Sequence, residues 1–207
     1  MRLVSAYYED YYPFNHLPII DGGTWTNDPA DLKAGDMLVV WGGQDISPAL
    51  YNKRVSKFTH ADGIPSLRDT TEWNLMKKAK ELSIPIIGVC RGAQMLCALA
   101  GGFLLQHVNN HGGYHLVTTV DGEEFQTNSI HHQMMYPWDV KHEMLCSIKP
   151  ARSNKHYDVD FNIPIEEEPE YVYFPEVKGH AIQWHPEGMD RDCEATKYIF
   201  KQIMERA

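Results

Sequence analysis

Strand-like and helix-like segments alternate along the first half of the chain. Residues 37–41 (Met-Leu-Val-Val-Trp) and 84–89 (Ile-Pro-Ile-Ile-Gly-Val) are apolar runs of strand length. Between them lies a polar segment in which Trp73, Met76 and Ala79 are spaced three residues apart, as on one face of a helix. This alternation predicts a parallel sheet covered by helices on both faces.

The same patterns predict the bounds of the elements. Helix 70–82 is expected to follow Asp69 as its N-cap, with Glu72 in the reciprocal capping position. The polar stretch 150–169 is expected to be a long surface loop. Strands are predicted at residues 2–5, 37–41, 84–89, 114–120, 144–148, 171–174 and 180–184, and further helices at 91–100 and 194–206.

Length and composition are consistent with a single domain over residues 1–207. The chain is short for two domains, and its 43% hydrophobic content supplies a core that needs neither disulfides nor metal. A formal net charge of −9 argues against nucleic acid as a partner, because affinity for phosphates depends on Lys and Arg. The first residues lack the apolar core of a signal peptide, and no apolar run is long enough to cross a membrane. A cytoplasmic protein is therefore expected.

One of the four cysteines lies in a context that favours reactivity. Cys90 follows the apolar run 84–89 and precedes helix 91–100, and Gly88 and Gly92 flank it at two residues on either side. Such a strand-to-helix turn exposes the side chain above the sheet, and the helix N-terminus favours the thiolate. We expect Cys90 to be a nucleophile and the other three cysteines, which form no Cys-x-x-Cys pair, to be structural (Cys97, Cys146 and Cys193).

A general base for this nucleophile is predicted at the end of strand 180–184. A catalytic cysteine commonly uses a histidine, and a third group then fixes the tautomer of that histidine. His185 falls at the strand end, where open α/β sheets bind ligands. Glu187 lies two residues further on, within reach of the ring nitrogen that does not face the sulfur, so Cys90, His185 and Glu187 form a candidate triad.

Several motifs together resemble the class I glutamine amidotransferase family. They are Gly-Val-Cys-Arg-Gly-x-Gln at 88–94 and Gln-Trp-His-Pro-Glu at 183–187. Three further segments resemble its γ-glutamyl hydrolase-like branch, which includes γ-glutamyl-γ-aminobutyrate hydrolases. These are Gly-Gly-Gln-Asp-Ile-Ser-Pro at 42–48, Arg68-Asp69 with Glu72, and Asn-Ser-Ile-His-His-Gln at 128–133. The resemblance covers residues 39–187.

This resemblance implies a fold, a reaction and roles for particular residues. The fold would be a flavodoxin-like three-layer α/β sandwich with a central mostly parallel sheet. The reaction would be hydrolysis of a γ-glutamyl amide through a thioester on Cys90, without cofactor or metal. Backbone N–H groups of Gly43 and Arg91 would hold the oxyanion. The glutamyl group would be bound by Gln94 and by residues 129–131, which are Ser129, Ile130 and His131.

Three alternatives remain open at this stage. The chain could be a glutaminase subunit that supplies ammonia to a separate synthetase, or a binding module on an inactive scaffold. The histidines at 107, 111, 115, 131 and 132 could be metal ligands. However, Gly112-Gly113 interrupts any helix that would align the first three, so we expect solvated loop histidines and no metal.

Overall fold

The structure, a computed structural model, describes residues 1–206. Its three α-helices are α1 (Leu67–Leu82), α2 (Arg91–Leu99) and α3 (Glu194–Met204). The strands are β1 (Arg2–Ala6), β2 (Gly22–Thr26), β3 (Asp36–Val40), β4 (Ile86–Val89), β5 (Phe103–Leu105), β6 (His107–Val108), β7 (Gly112–Thr119), β8 (Glu124–Ile130), β9 (Met134–Tyr136), β10 (Glu143–Ile148), β11 (His156–Asp158), β12 (Phe161–Asn162), β13 (Glu168–Phe174) and β14 (Gly179–Ile182).

A nine-stranded sheet in the order β2-β1-β3-β4-β14-β13-β10-β7-β8 forms the centre of the fold. The first five strands of this order run parallel to one another, and each later pair is antiparallel. Strands β4 and β14 are direct neighbours, with Val89 opposite Ile182. Their carboxyl ends, which are followed by Cys90 and His185, therefore meet at the same edge of the sheet.

Two apolar cores cover the two faces of the sheet. On one face, strand residues such as Leu38 pack with Met76 of α1 and Leu96 of α2. On the other face, Val39 belongs to a cluster with Ile199 of α3. Alternate residues of β3 thus point into different cores, because successive side chains of a strand point to opposite faces. The result is the predicted three-layer sandwich.

The structure corrects the predicted start of the first long helix. Helix α1 begins three residues earlier than expected, and its N-cap is Ser66, whose hydroxyl accepts the N–H of Asp69. The carboxylate of Asp69 accepts the N–H of Ser66 in return, so Asp69 belongs to a capping box and is not the N-cap. Glu72 therefore takes no part in capping and lies fully buried in α1.

The second half contains more strands than the sequence predicts. Strand β8 was missed because the side chains it buries include Thr127 and Ser129, so its alternation is not apolar against polar. The expected loop 150–169 contains the short strands β11 and β12 and the first two residues of β13. His111, His115 and His131 are buried, which corrects the expectation that they are solvated loop residues.

The capping box predicts a measurable contribution to stability. Replacing Ser66 with Ala removes the acceptor for the Asp69 N–H and should lower the free energy of unfolding by about 1 kcal/mol. Lys77→Ala, at an exposed position in the middle of the same helix, should change it by less than about 0.5 kcal/mol. Urea unfolding of the two variants measures the difference, and equal losses would contradict the assigned cap.

Candidate active site

Cys90 lies on a sharp turn between β4 and α2. Its φ is +49°, a left-handed backbone conformation that is unfavourable for a residue with a Cβ. The Cys90 N–H donates to the carbonyl of Ile182 at 2.7 Å, which ties the turn to β14. A Cβ on Gly92 would overlap the carbonyl group of Val40, and one on Gly88 would overlap the Gly92 backbone. Both flanking glycines are therefore required by close backbone contacts.

His185 is held beside Cys90 by its side chain and by its backbone. Its Nδ1 lies 2.7 Å from Oε1 of Glu187. Its backbone N–H donates to Oδ1 of Asn128 at 2.8 Å, and its carbonyl accepts from Nδ2 of the same residue at 2.8 Å. A Cβ on Gly42 would lie 2.6 Å from the His185 ring and 3.6 Å from the Cys90 Cβ. The two side chains therefore converge over the Gly42 backbone.

The charge state of His185 is set by its two neighbours. Burial lowers the pKa of His185, but the interactions with Cys90 and with the Glu187 carboxylate outweigh it and raise this pKa to about 10. Nε2 faces Cys90 without meeting the geometry of a hydrogen bond. The ring is thus held as an imidazolium that can give up a proton on the Cys90 side.

A buried network of charged side chains fixes the backbone around this pair. The guanidinium of Arg91, the first residue of α2, contacts Asp69 at 2.5 Å and also pairs with Glu72. Arg68 pairs with Glu72 at 2.9 Å and donates to the Gly42 carbonyl at 2.8 Å. The network therefore joins α1, the turn after β3 and the first residue of α2.

Two backbone N–H groups next to Cys90 are free of partners within the described chain. Neither the N–H of Gly43 nor that of Arg91 forms a hydrogen bond with any residue from 1 to 206. Arg91 opens α2, so its N–H has no carbonyl one turn earlier to bind. The φ of Gly43 is +156°, which residues with a Cβ rarely adopt, and a Cβ there would also overlap the Arg68 guanidinium, so glycine is favoured at this position.

A cleft of about 430 Å³ opens next to these groups. Gly43 and Arg91 line it on one side, and Tyr8 and His60 are among its other residues. Cys90 and His185 are not among the residues that line it, so the cleft lies beside these two residues and does not contain them.

The four predicted substrate-binding residues have different environments. Gln94 is buried in α2, and its Nε2 donates to the carbonyl of Gln133 at 3.1 Å. The hydroxyl of Ser129 is also used within the protein, since it donates to the His111 carbonyl at 3.0 Å. The side chain of Ile130 is exposed, whereas the ring of His131 is buried against Glu170.

Asn128 is the site residue to which the sequence assigned no role. Its hydrogen bonds are made to the backbone of His185, which lies 57 positions away in the chain. The signal that could have found it is its place in the motif at 128–133, directly before the residues expected to bind substrate.

Comparisons with known proteins agree with the resemblance to the class I glutamine amidotransferase family. Residues 26–118 match the family model described as Peptidase C26. A Lactococcus lactis protein named as glutamine amidotransferase-like, YvdE, is 29% identical over 193 residues, which cover 82% of this chain and 72% of the relative. A Mycobacterium tuberculosis protein named as a glutamine amidotransferase is 27% identical over 82% of this chain and 55% of its own length.

A solved structure agrees on the fold. A Thermoplasma acidophilum protein, described as one of the subunits of GMP synthase, superposes with a TM-score of 0.62 over 100% of this chain and 93% of its own, at 14% identity. The predicted resemblance to the class I glutamine amidotransferase family and the predicted fold class are thus confirmed.

The matched segment spans from 30% to 72% of the length of the first three curated relatives. Within residues 1–206, no helix combines the length and apolar character needed to span a membrane.

The ion-pair network predicts a large and specific loss of stability. Arg91→Leu removes the guanidinium that pairs with the buried carboxylates of Asp69 and Glu72, leaves Asp69 without an ion-pair partner and Glu72 with Arg68 alone, and should lower the free energy of unfolding by roughly 3–5 kcal/mol. Arg54→Leu breaks a pair with Asp160 whose side chains are 79% and 59% exposed, and should cost less than about 1 kcal/mol. Denaturant unfolding of both variants provides the test, and a small loss for Arg91→Leu would contradict the structural role of the network.

Proposed function

We propose that the protein is a cysteine-dependent hydrolase of γ-glutamyl amide bonds. The observation that carries this proposal is the convergence of Cys90 and His185 over the Gly42 backbone, with Glu187 on the far nitrogen of the ring. This arrangement has the three roles that acyl transfer by a thiol needs: a nucleophile, an acid-base group and a residue that orients the acid-base group.

The first half of the reaction is attack and departure of the amine. The Cys90 sulfur adds to the side-chain carbonyl carbon of the γ-glutamyl group. The negative charge that develops on the carbonyl oxygen is held by the free N–H groups of Gly43 and Arg91. The imidazolium of His185 then gives its proton to the departing nitrogen, the C–N bond breaks, and a γ-glutamyl thioester remains on Cys90.

The second half is hydrolysis of this thioester. His185, now neutral, takes a proton from a water molecule while the water oxygen adds to the thioester carbonyl. The C–S bond breaks, glutamate leaves, and the thiolate–imidazolium pair forms again. Glu187 stabilises the imidazolium in both halves and holds the ring by its Nδ1. No cofactor takes part in this scheme.

The residues that would bind the glutamyl group remain a prediction. Gln94 and residues 129–131 are proposed for this role from the family resemblance. Because the Ser129 hydroxyl and the His131 ring are turned into the protein, the contribution of this segment would come from its backbone.

The amine half of the substrate would extend into the cleft beside Gly43. Asp45 and Asp62 line this cleft and do not take part in the Arg91 network. Asp62 is exposed, so its negative charge favours amines that carry a second positive group, whereas Asp45 is already paired with His132 at 3.0 Å.

The alternative function is a glutaminase subunit that supplies ammonia to a synthetase. The observation in its favour is the similar structure described as a subunit of GMP synthase. Under this alternative the same triad acts on glutamine, and full activity requires the partner protein.

The proposed reaction is tested by measuring glutamate release from glutamine and from a panel of γ-glutamyl amides. Cys90→Ala should abolish turnover and leave the unfolding curve unchanged. Glu187→Ala should retain weaker activity, because it orients His185 and does not form the covalent bond. Full activity of Cys90→Ala would refute the proposal, and activity on glutamine alone, raised by an added synthetase, would favour the alternative.

The raised pKa of His185 predicts a shift in the pH profile. Glu187→Gln keeps the size of the side chain but removes its negative charge, which destabilises the imidazolium and lowers the pKa of His185. His185 must carry its proton to release the amine, so the alkaline limb of kcat/KM should move to lower pH in this variant. A profile measured from about pH 6 to about pH 11, which extends past the pKa of about 10, tests this prediction. An unchanged alkaline limb would argue against His185 as the acid.

A further inference from the structure

A second group of titratable side chains is buried beside β13 and is not used by the proposed reaction. We call it the buried histidine cluster, and it consists of His111, His115, His131 and Glu170. His111 directly precedes β7, His115 lies within β7, His131 directly follows β8, and Glu170 lies in β13. The side chains of His111 and Glu170 are completely buried, and those of the other two are 2–3% exposed.

The polar atoms of this cluster lack hydrogen bonds to an unusual extent. Seven of them have no hydrogen-bond partner among residues 1–206: both ring nitrogens of His111 and of His115, Nε2 of His131, and both carboxylate oxygens of Glu170. Leaving one buried polar group unpaired is costly, and a charged one costs more. The histidine nitrogens approach the carboxylates of Glu168 and Glu170 only to 3.3–3.8 Å, so a ligand shared by several of these atoms would satisfy them better than the contacts present.

The distances within the cluster fit a shared cation. Nδ1 of His111 lies 3.5 Å from Oε1 of Glu170, and Nε2 of His131 lies 3.8 Å from the same oxygen. The ligand atoms of His111, His131 and Glu170 all lie within 4.8 Å of one another. Ligands held at about 2.0–2.1 Å in a tetrahedron are roughly 3.3–3.4 Å apart, so small side-chain movements would form three of the four corners of such a site.

In His111 and His131, one ring nitrogen faces Glu170 and the other contacts an acceptor outside the ligand group. The second contact orients the ring. Nδ1 of His131 lies 2.9 Å from the Gln133 carbonyl, which can only accept, so this nitrogen carries the proton. In the neutral ring Nε2 is then an acceptor that faces the Glu170 carboxylate, another acceptor. Nε2 of His111 lies 3.3 Å from Oε2 of Glu168. A backbone carbonyl or carboxylate behind each ring is the usual support of metal-bound histidines.

We propose that His111, His131 and Glu170 bind one divalent transition-metal ion, with Zn²⁺ the best match to two imidazoles and a carboxylate. His115 lies 3.3 Å from the same carboxylate oxygen and holds Glu170 from the other side. The proposal replaces the expectation of no metal. It is independent of the reaction proposed for Cys90.

The bound ion would have a structural role near the active site. It joins the beginning of β7, the end of β8 and the beginning of β13, which are separate segments of the chain. Asn128, which holds the backbone of His185, lies in β8 three residues before His131. The Glu170 carbonyl also accepts the N–H of Gln183, two residues before His185, at 2.8 Å.

A second histidine-containing group provides a matched control. Asp45, His60 and His132 also approach one another, but His60 is exposed and His132 is hydrogen-bonded to Asp45 at 3.0 Å. The other carboxylate oxygen of Asp45 accepts the N–H of His60 at 2.8 Å. This group is already paired and needs no ion, so His132→Ala should not change metal binding at the buried cluster.

The test is a zinc titration of the full chain carrying Cys90→Ala, which removes the catalytic thiol as a competing ligand. Competition with a chromophoric chelator gives the stoichiometry and affinity, and Co²⁺ absorption in the visible range reports a tetrahedral site. The parent chain and its His132→Ala variant should bind one equivalent. His111→Ala and Glu170→Gln should bind more than about 100-fold more weakly, because even outer partners of a metal site contribute 10–100-fold.

Thermal unfolding with and without zinc provides a second readout. Zinc should raise the Tm of the parent and of His132→Ala, and should leave that of Glu170→Gln unchanged. Zinc binding by the parent chain tests the proposal even if a variant fails to fold. Absence of a stoichiometric zinc equivalent in the parent overturns the proposal. Undiminished zinc binding by folded Glu170→Gln or His111→Ala overturns it as well.

Discussion

The pairing of Arg91 with Asp69 and Glu72 is the interaction on which the geometry of the active site depends. Burying charged groups is expensive, and the network satisfies them only when α1 and α2 are in one relative position. The same residue contributes a free backbone N–H next to Cys90, so the ion pairs and the proposed oxyanion contact share one anchor. Arg68 extends the constraint to the Gly42 carbonyl. A polar network of this kind gives positional precision that an apolar contact of the same size would not.

The sheet joins two halves with different tasks. The parallel half brings β4 and β14 side by side, which places Cys90 and His185 at neighbouring strand ends. The antiparallel half continues from β14 through β13 to the hairpin of β7 and β8, and returns Asn128 to the backbone of His185. The active site therefore lies where the two halves meet, and each half supplies part of its support.

The residues of the candidate site could be predicted from the sequence better than the residues that support them. Local context, a strand end and a turn, singled out Cys90, His185 and Glu187 as a candidate triad, and the structure brings the three side chains together. Helix α1 was placed too late because Asp69 and Glu72 resemble a cap, whereas Glu72 is needed for Arg91. The burial of His111 and His115 was not predicted because their four-residue spacing was compared with a helix only. In a strand, positions four apart also share a face, since the side-chain period is two.

Asn128 lies on β8, which is one of the two edge strands of the sheet. The residue that holds the backbone of His185 is thus carried by a strand with a neighbour on one side only, and edge strands are the least constrained by backbone pairing. Substitutions that alter the pairing or the length of the β7–β8 hairpin would shift the Asn128 side-chain amide and, with it, the backbone of His185. They would leave Cys90, His185 and Glu187 themselves unchanged. The geometry of His185 can therefore be altered from this hairpin while the three residues of the candidate triad stay the same.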